Sequence, residues 1–308
     1  MNFPNEKISV GDNDSDRNLS NKAALWYYDS LESSYGLQTG IKIRDVLCRY
    51  RSKWQEIVVF ETEKLGKMLV LDGITMLTEF DEFAYHEMIV HVPLLTHPCP
   101  SKILVIGGGD GGTVREIVKH PEVESIHVCE LDEEVVKACQ KYIPSLASSF
   151  DDPRVDIFYE DGARFVAQKK GAYDIIIVDS TDPIGPGQIL FQRPFYSDMK
   201  KALKKEGIAV TQCESMYLHR EVISGVSSFA SEIYPLVGYY FTLVPTYPSG
   251  IIGFLFNSLK WDPRKDFSPE RAGKLTGLRY YSTDIHKAAF TLPRFGTQLL
   301  TGKQPTRT

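Results

Sequence analysis

The chain has 308 residues, of which 43% are hydrophobic and 24% charged, with a formal net charge of −5. This is the balance of a globular chain long enough to bury a substantial core; the mild acidic excess argues against a nucleic-acid surface and suits a cationic substrate. Five cysteines (Cys48, Cys99, Cys129, Cys139 and Cys213) form no CxxC pair, which argues against a disulfide framework or zinc site and for a reducing, cytoplasmic setting.

Residues 1–24 are polar, rich in Asn, Asp and Ser, and read as a mobile tail. No basic stretch leads into an apolar run there, and no run of about 18 apolar residues occurs anywhere, so neither a signal peptide nor a membrane span is expected. Residues 25–78 carry strand patterning in IKIRDVLCRY, WQEIVVFET and KMLVLDG, with Gly66 and Gly73 marking turns, which predicts a small N-terminal β-domain. The remainder, 79–308, opens with DEFAYHEMIVHVPLL, where Phe83, Met88, Ile89 and Val92 fall at helical spacing. A regular alternation follows. Strands are expected at Ile103–Ile106, Ile126–Cys129, Val155–Tyr159 and Ile175–Val178. Helices are expected at Thr113–His120, Glu133–Tyr142 and Gly162–Lys169. Such an α/β alternation with apolar strands predicts a mostly parallel sheet covered on both faces. GIAVTQ, FTLV and IIGFLF add further strands, some of them antiparallel.

The first apolar strand runs into GGGDGG, Gly107 to Gly112, and then a helix. A glycine turn at that place lets backbone approach a ligand at a helix N-terminus, although such a turn also forms with no ligand at all. Two further features raise its weight. Glu130 ends the next strand, 23 residues after Gly107, where an acid accepts from ribose hydroxyls. Asp161-Gly162 follows the third strand, where an acid can accept from an adenine amino group. Asp110 within the turn would repel a pyrophosphate, which argues against a dinucleotide. It would attract the ammonium of a decarboxylated S-adenosylmethionine, and it also suits a helix cap.

After the fourth strand come Asp179 and Asp182, then the Pro/Gly-rich segment DPIGPGQILF. Asp-Pro is a common turn signal, but Glu130, Asp161, Asp179 and Asp182 all cluster at strand ends, which favours chemistry. Lined by Asp110, Asp179, Asp182 and Glu214, a pocket would select a polycation. An alkylamine, with a pKa of about 10, must lose a proton before it attacks, and a nearby carboxylate can take it. The Pro/Gly segment could close as a lid.

LVLDG, DEFAYHEMI, VIGGGDGGTVREIVKHP, DGARFV, DSTDPIGP, PTYPSG and YYSTDIHKAAFTLP together resemble the spermidine synthases, the polyamine aminopropyltransferases, over nearly the whole chain after about Leu25. The resemblance implies a Rossmann-like, methyltransferase-type domain behind the small β-domain. It implies transfer of an aminopropyl group from decarboxylated S-adenosylmethionine, a co-substrate rather than a cofactor, to putrescine. Spermidine and methylthioadenosine would be the products. It implies Asp179 as general base and Tyr85 as the group orienting the amine. Gln55, Gly107, Gly109, Asp110, Glu130, Asp161 and Gly162 would hold the nucleotide substrate, and Asp182, Gln212, Tyr247, His86 and Trp26 the diamine side. The family's usual state, a homodimer or homotetramer, is expected. Met76, Thr181, Tyr217 and the LWYYDS entry depart from the common pattern; they bear on the acceptor amine rather than on the reaction.

Agmatine, cadaverine, diaminopropane or spermidine are alternative acceptors. Methyl transfer to a polyamine ranks lower because Asp110 is present, and a non-enzymatic polyamine sensor ranks lower because Asp179, Tyr85 and Asp182 occur together. No metal is expected: His86 and His91 are five residues apart and miss the zinc-helix spacing, and they read as structural or pocket-shaping. No GxSxG motif points to a serine hydrolase.

Overall fold

The computed structural model describes residues 25–33 and 35–300; the polar stretch 1–24 lies outside them. Five strands, β1 (Leu25–Tyr28), β2 (Gly40–Arg51), β3 (Glu56–Thr62), β4 (Lys67–Leu71) and β5 (Ile74–Thr78), form an antiparallel sheet in sequence order, with a short helix α1 (Ser30–Ser33) after β1. Asp72 and Gly73 both take left-handed backbone angles between β4 and β5, which is the two-residue hairpin that an Asp-Gly pair favours. Alternation along these strands makes two layers. Ile41, Ile43, Val58, Met68 and Val70 form a small core of their own. Ile57, Val59, Leu69 and Leu71 face the other way and join the core of the second domain.

Helix α2 (Glu82–Thr96) connects the two sheets and is buried on every side, Glu82, His86, Glu87 and His91 included. A helix buried on every side belongs to the core, and its polar side chains must find partners there. Then come β6 (Lys102–Gly107), α3 (Gly112–Ile117), β7 (Ser125–Glu130), α4 (Glu133–Tyr142), α5 (Pro144–Ala147), β8 (Val155–Tyr159), α6 (Gly162–Ala167) and β9 (Tyr173–Asp179). The chain continues through α7 (Arg193–Ala202), β10 (Leu203–Gln212), α8 (Arg220–Ile233), β11 (Leu236–Leu243) and β12 (Ile251–Ser258). It closes with α9 (Pro269–Ala272), α10 (Thr283–Ala288) and α11 (Arg294–Leu300). The seven-stranded sheet has the order β11-β12-β10-β9-β6-β7-β8, parallel from β10 to β8 and antiparallel at β12 and β11.

The unbroken apolar runs of β6 and β9 follow from burial on both faces. Ile103, Val105, Ile175 and Ile177 pack with the Met88–Ile89 side of α2. Leu104, Ile106, Ile176 and Val178 pack with Phe165 of α6, Met199 of α7 and Val226 of α8. Each such side chain contributes about 1.5–3 kcal/mol relative to exposure. Helices α7 and α8 are additions to the elements read from the sequence.

The strand order reverses between β6 and β9, since β7 and β8 lie on one side of β6 and β9 on the other. A crevice opens at such a switch point, beyond the strands' carboxyl ends. Here the two ends touch. Gly108 N–H donates to the Asp179 carbonyl at 2.8 Å, and a Cβ on Gly107 would lie 2.1 Å from that same oxygen, at a φ of +81°. Gly107→Ala should therefore cost roughly 2–5 kcal/mol, left-handed strain and overpacking together. Urea denaturation would measure it; a loss below 1 kcal/mol would show that the seam yields easily.

Candidate active site

A cavity of about 610 Å³ lies over the switch point. Its floor is a row of strand ends. Taken across the sheet, β10, β9, β6 and β7 end in Gln212, Asp179, Gly107 and Glu130, and Asp161 lies two residues beyond the end of β8. Four strand spacings of about 4.8 Å make this row roughly 19 Å long.

At the β7–β8 end, Glu130 is half-buried against the glycine turn: a Cβ on Gly109 would meet its Oε2 at 2.9 Å. Burial, with Asp132 and Asp110 nearby, pushes the Glu130 carboxyl up to about 7, despite an amide donated by Asp132 at 2.9 Å. Asp161 caps α6, its Oδ1 accepting from the amides of Ala163 and Arg164 at 2.8 and 3.1 Å, while Gly162 packs on Ile106. Gln55, from the turn before β3, donates to Asp132 at 3.0 Å and ties the N-terminal sheet to the cap of α4. Asp161, Gly162 and Gln55 all line the cavity, as do Gly107 and Gly109.

The centre is built around His86. Its Nδ1 lies 2.6 Å from Glu82 Oε2 and its Nε2 lies 3.3 Å from Asp110 Oδ1. Both ring nitrogens therefore face carboxylates, and the ring satisfies both only as a donor on each side. Burial disfavours the charged ring, but Asp110 and Glu82 outweigh burial and carry its pKa up to about 10. Gly112 makes room for it, since a Cβ there would fall 2.3 Å from the imidazole. Asp110 also accepts the Gly112 amide at 2.6 Å. Burial raises the Asp110 carboxyl, yet His86 and that amide hold it below its ordinary value. The reactive atoms of His86, Asp110 and Asp179 all lie within 4.8 Å of one another. Thr113 donates to Asp179 Oδ2 at 2.6 Å, and burial and Asp110 push the Asp179 carboxyl up. Tyr85, buried against His86, Tyr247 and Phe254, interacts with Asp179; burial and that carboxylate raise its phenol.

At the β10 end, Asp182 is pushed well up by burial and by Glu214. Gln212 Nε2 donates to Glu214 Oε1 at 3.3 Å, but Gln212 Oε1 and Glu214 Oε2 are buried with no hydrogen-bond partner. His219 Nδ1 approaches that Glu214 oxygen to 2.7 Å without hydrogen-bond alignment, and Tyr35 packs edge-on against the His219 ring. Tyr247 lines the cavity and donates its hydroxyl to the Met76 carbonyl, fixing β5 against the second domain. The segment from Thr181 through Gly185–Phe191, a 3-10 turn, forms one wall.

One expectation changes. Trp26 does not reach the cavity. Alternation along β1 turns Tyr27 inward to the Gly73 carbonyl at 2.7 Å and leaves Trp26 half-exposed opposite Lys42, while Trp54 lines the cavity. His91 takes the structural alternative of its reading: it is fully buried outside the cavity lining, between His120 and Glu116, where it shapes α2 packing. Thr113, Glu82 and His219 were not singled out from the sequence. Only Thr113 carried a signal, as the hydroxyl in the first turn after GGGDGG.

An acid in the glycine turn, more acids along a switch point and an open acceptor end define a Rossmann-like transferase rather than a dinucleotide oxidoreductase. Comparison with known proteins narrows the class. Residues 82–268 match the spermine/spermidine synthase domain and residues 25–79 the spermidine synthase tetramerisation domain. The chain is 48% identical over 272 residues to a polyamine aminopropyltransferase of Leptospira biflexa serovar Patoc, covering 88% of this chain and 96% of that one. It is 44% identical over 278 residues to the spermidine synthase of Dictyostelium discoideum, covering 89% and 97%. A crystal structure of spermidine synthase in complex with the transition state analogue AdoDATO superposes with a TM-score of 0.89 at 40% identity, over 93% of this chain and 98% of that one. Spermidine synthase from Thermotoga maritima gives 0.86 at 38% identity, over 93% and 97%. The chain belongs to the spermine/spermidine synthase family of enzymes.

Glu130 gives a pH signature. A ligand that donates ribose hydroxyls needs the ionised carboxylate, which forms as pH rises through about 7. Adenosine affinity, measured by calorimetry, should rise roughly tenfold from about pH 6 to pH 8, and Glu130→Gln should flatten the profile. A flat wild-type profile would remove Glu130 from ribose binding.

Proposed function

We propose that the chain is a polyamine aminopropyltransferase that moves the aminopropyl group of decarboxylated S-adenosylmethionine to putrescine, giving spermidine and methylthioadenosine. The observation that carries this reading is the placement of Asp110 and Asp179 within 4.8 Å of each other at mid-cavity, between a nucleoside-sized end and an acid-lined end. Glu130 holds the ribose, and Asp161 with Gly162 the adenine edge, Gln55 closing that side. Asp110 holds the aminopropyl ammonium. The near ammonium of putrescine gives a proton to Asp179 while Tyr85 orients the nitrogen. The nitrogen attacks the aminopropyl carbon bonded to sulfur, the C–S bond breaks, and its electron pair returns to sulfur as a neutral thioether. A raised Asp179 carboxyl is a better base for this than an ordinary one.

The far ammonium lies at Asp182 and Glu214, with Gln212 and Tyr247 beside it. Two acids side by side are costly to ionise together, and a cation between them relieves that cost. The unpartnered oxygens of Gln212 and Glu214 are the acceptors such an ammonium needs. The Thr181–Phe191 wall acts as the lid that excludes water. No resident cofactor takes part, and neither nucleic acid nor a membrane is a partner; among the described residues no helix is long and apolar enough to cross a membrane. The enzyme works in the cytoplasm, where its five free cysteines stay reduced. The N-terminal sheet, with Leu25, Trp26 and Tyr28 about half exposed, is the surface through which copies assemble as a homodimer or homotetramer.

Mass spectrometry of products from decarboxylated or intact S-adenosylmethionine with a panel of amines tests the reading. An aminopropyl adduct from the decarboxylated donor alone supports it, and the best amine identifies the acceptor. A methylated amine from the intact donor would make the chain a methyltransferase. Asp179→Asn should lower kcat by roughly 10²–10⁴-fold with donor binding retained; full activity would show that another group is the base. Asp110→Ile should weaken the decarboxylated donor more than the intact one, and equal losses would refute charge selection.

A further inference from the structure

Two carboxylates as close as Asp110 and Asp179 repel each other in a buried pocket and tend to share one proton. Aminopropyl transfer needs both ionised: one holds the donor's ammonium, and the other takes the acceptor's proton. A fixed positive charge beside them resolves the conflict, and the structure contains one with its own support. His86 sits four residues after Glu82 on α2, within hydrogen-bond reach of it. Glu82 in turn accepts both terminal nitrogens of Arg115 from α3, at 2.8 and 2.9 Å, a two-pronged and charge-assisted pairing. Arg115 Nε is anchored on Glu116 at 2.8 Å, and Glu116 is held by His91 and Lys119. Neither Glu82 nor Arg115 lines the cavity.

We propose that Glu82 and Arg115 are positioning residues for the transfer: they clamp His86 as an imidazolium, and that fixed cation lets Asp110 and Asp179 be ionised side by side. This rests on the aminopropyl-transfer reading. The groups facing the ring are Glu82 and Tyr85 from α2, Asp110 from the glycine turn and Asp179 from β9. Behind them stand Arg115 on α3, Glu130 of β7, which feels the Asp110 charge, and Tyr247 beside Tyr85. The Glu82 carboxyl, though buried, is drawn down to about 2 by His86 and Arg115, so the clamp stays charged wherever the enzyme works. The clamp also directs Asp110: with Oδ1 taken by His86 and the Gly112 amide, Oδ2 is left for the donor's ammonium.

Glu82→Gln keeps the shape and removes the charge. In the full chain, NMR of labelled histidine, with the His86 signal assigned by its loss in His86→Gln, should show wild-type His86 doubly protonated from pH 6 to pH 9. In Glu82→Gln it should already be neutral over the acid limb of the rate profile. The acid limb of kcat/KM for the amine should move up by about one pH unit, because Asp179 loses the cation that favours its ionised form. A purely structural role would lower the plateau and leave the limb in place, which would overturn the proposal, as would a neutral wild-type His86. If Glu82→Gln fails to fold by circular dichroism, Arg115→Gln and Arg115→Lys carry the same comparison. The limb should then move for Gln and be largely restored by Lys, and equal limbs would overturn the clamp. Absence of aminopropyl transfer in the wild type would defeat the functional reading by itself, and the histidine titration would still decide whether the clamp holds a cation.

Discussion

Asp110, Glu130, Asp179, Asp182 and Glu214 crowd one cavity, and keeping them there is the constraint that shapes everything around it. An isolated buried carboxylate is too costly to stay ionised, so each must find a counter-charge, a donor or a proton. The chain uses all three. Asp110 has an imidazolium and an amide. Asp179 has the Thr113 hydroxyl. Burial carries the Glu130 carboxyl up to about 7, and burial and Glu214 push Asp182 well above its ordinary value. At the β10 end, Gln212 Oε1 and Glu214 Oε2 keep no hydrogen-bond partner among the described residues.

The fold supplies the geometry for this crowding with few parts. Adjacent parallel strands deliver one residue each to a common edge. The order β10, β9, β6, β7, β8 therefore converts five scattered sequence positions into a single file. The Gly107–Gly108 contact with the Asp179 backbone closes the seam in the middle, so that a loop from one strand and a side chain from its neighbour meet over one reacting centre.

Much of this was legible in the sequence, for physical reasons. The runs ILVI and IIIV are unbroken because both sheet faces are covered, and carboxylates at strand ends stand out against such runs. Helices α7 and α8 also left a trace. Phe195, Tyr196, Met199 and Ala202 recur on one face of α7, but Lys and Ser between them mask the pattern in a linear reading. Helix α2 was found through four apolar positions, although it has no polar face to alternate with. What the sequence hid depends on contacts between elements. Glu82 looks like an ordinary acid in a first helical turn until Arg115 is brought against it. The outward turn of Trp26 was hidden by a single residue of strand phase, since alternation decides which of the neighbours Trp26 and Tyr27 points inward.

The Tyr247 hydroxyl and the Met76 carbonyl are 171 residues apart in the chain, and their contact has a kinetic meaning. Strand β12, which follows Tyr247, inserts between β10 and β11. The Gln212–Tyr247 end of the cavity is therefore completed only when this hairpin has docked onto both the first sheet and the second. Contacts of such long sequence separation are paid for in loop closure before they return any stability. During synthesis β6, β7, β8 and β9 are all made before β12, so the Glu130 end of the row precedes the Tyr247 end. A chain cut before β12 would lack the wall that Ile251 and Ile252 supply to the cavity.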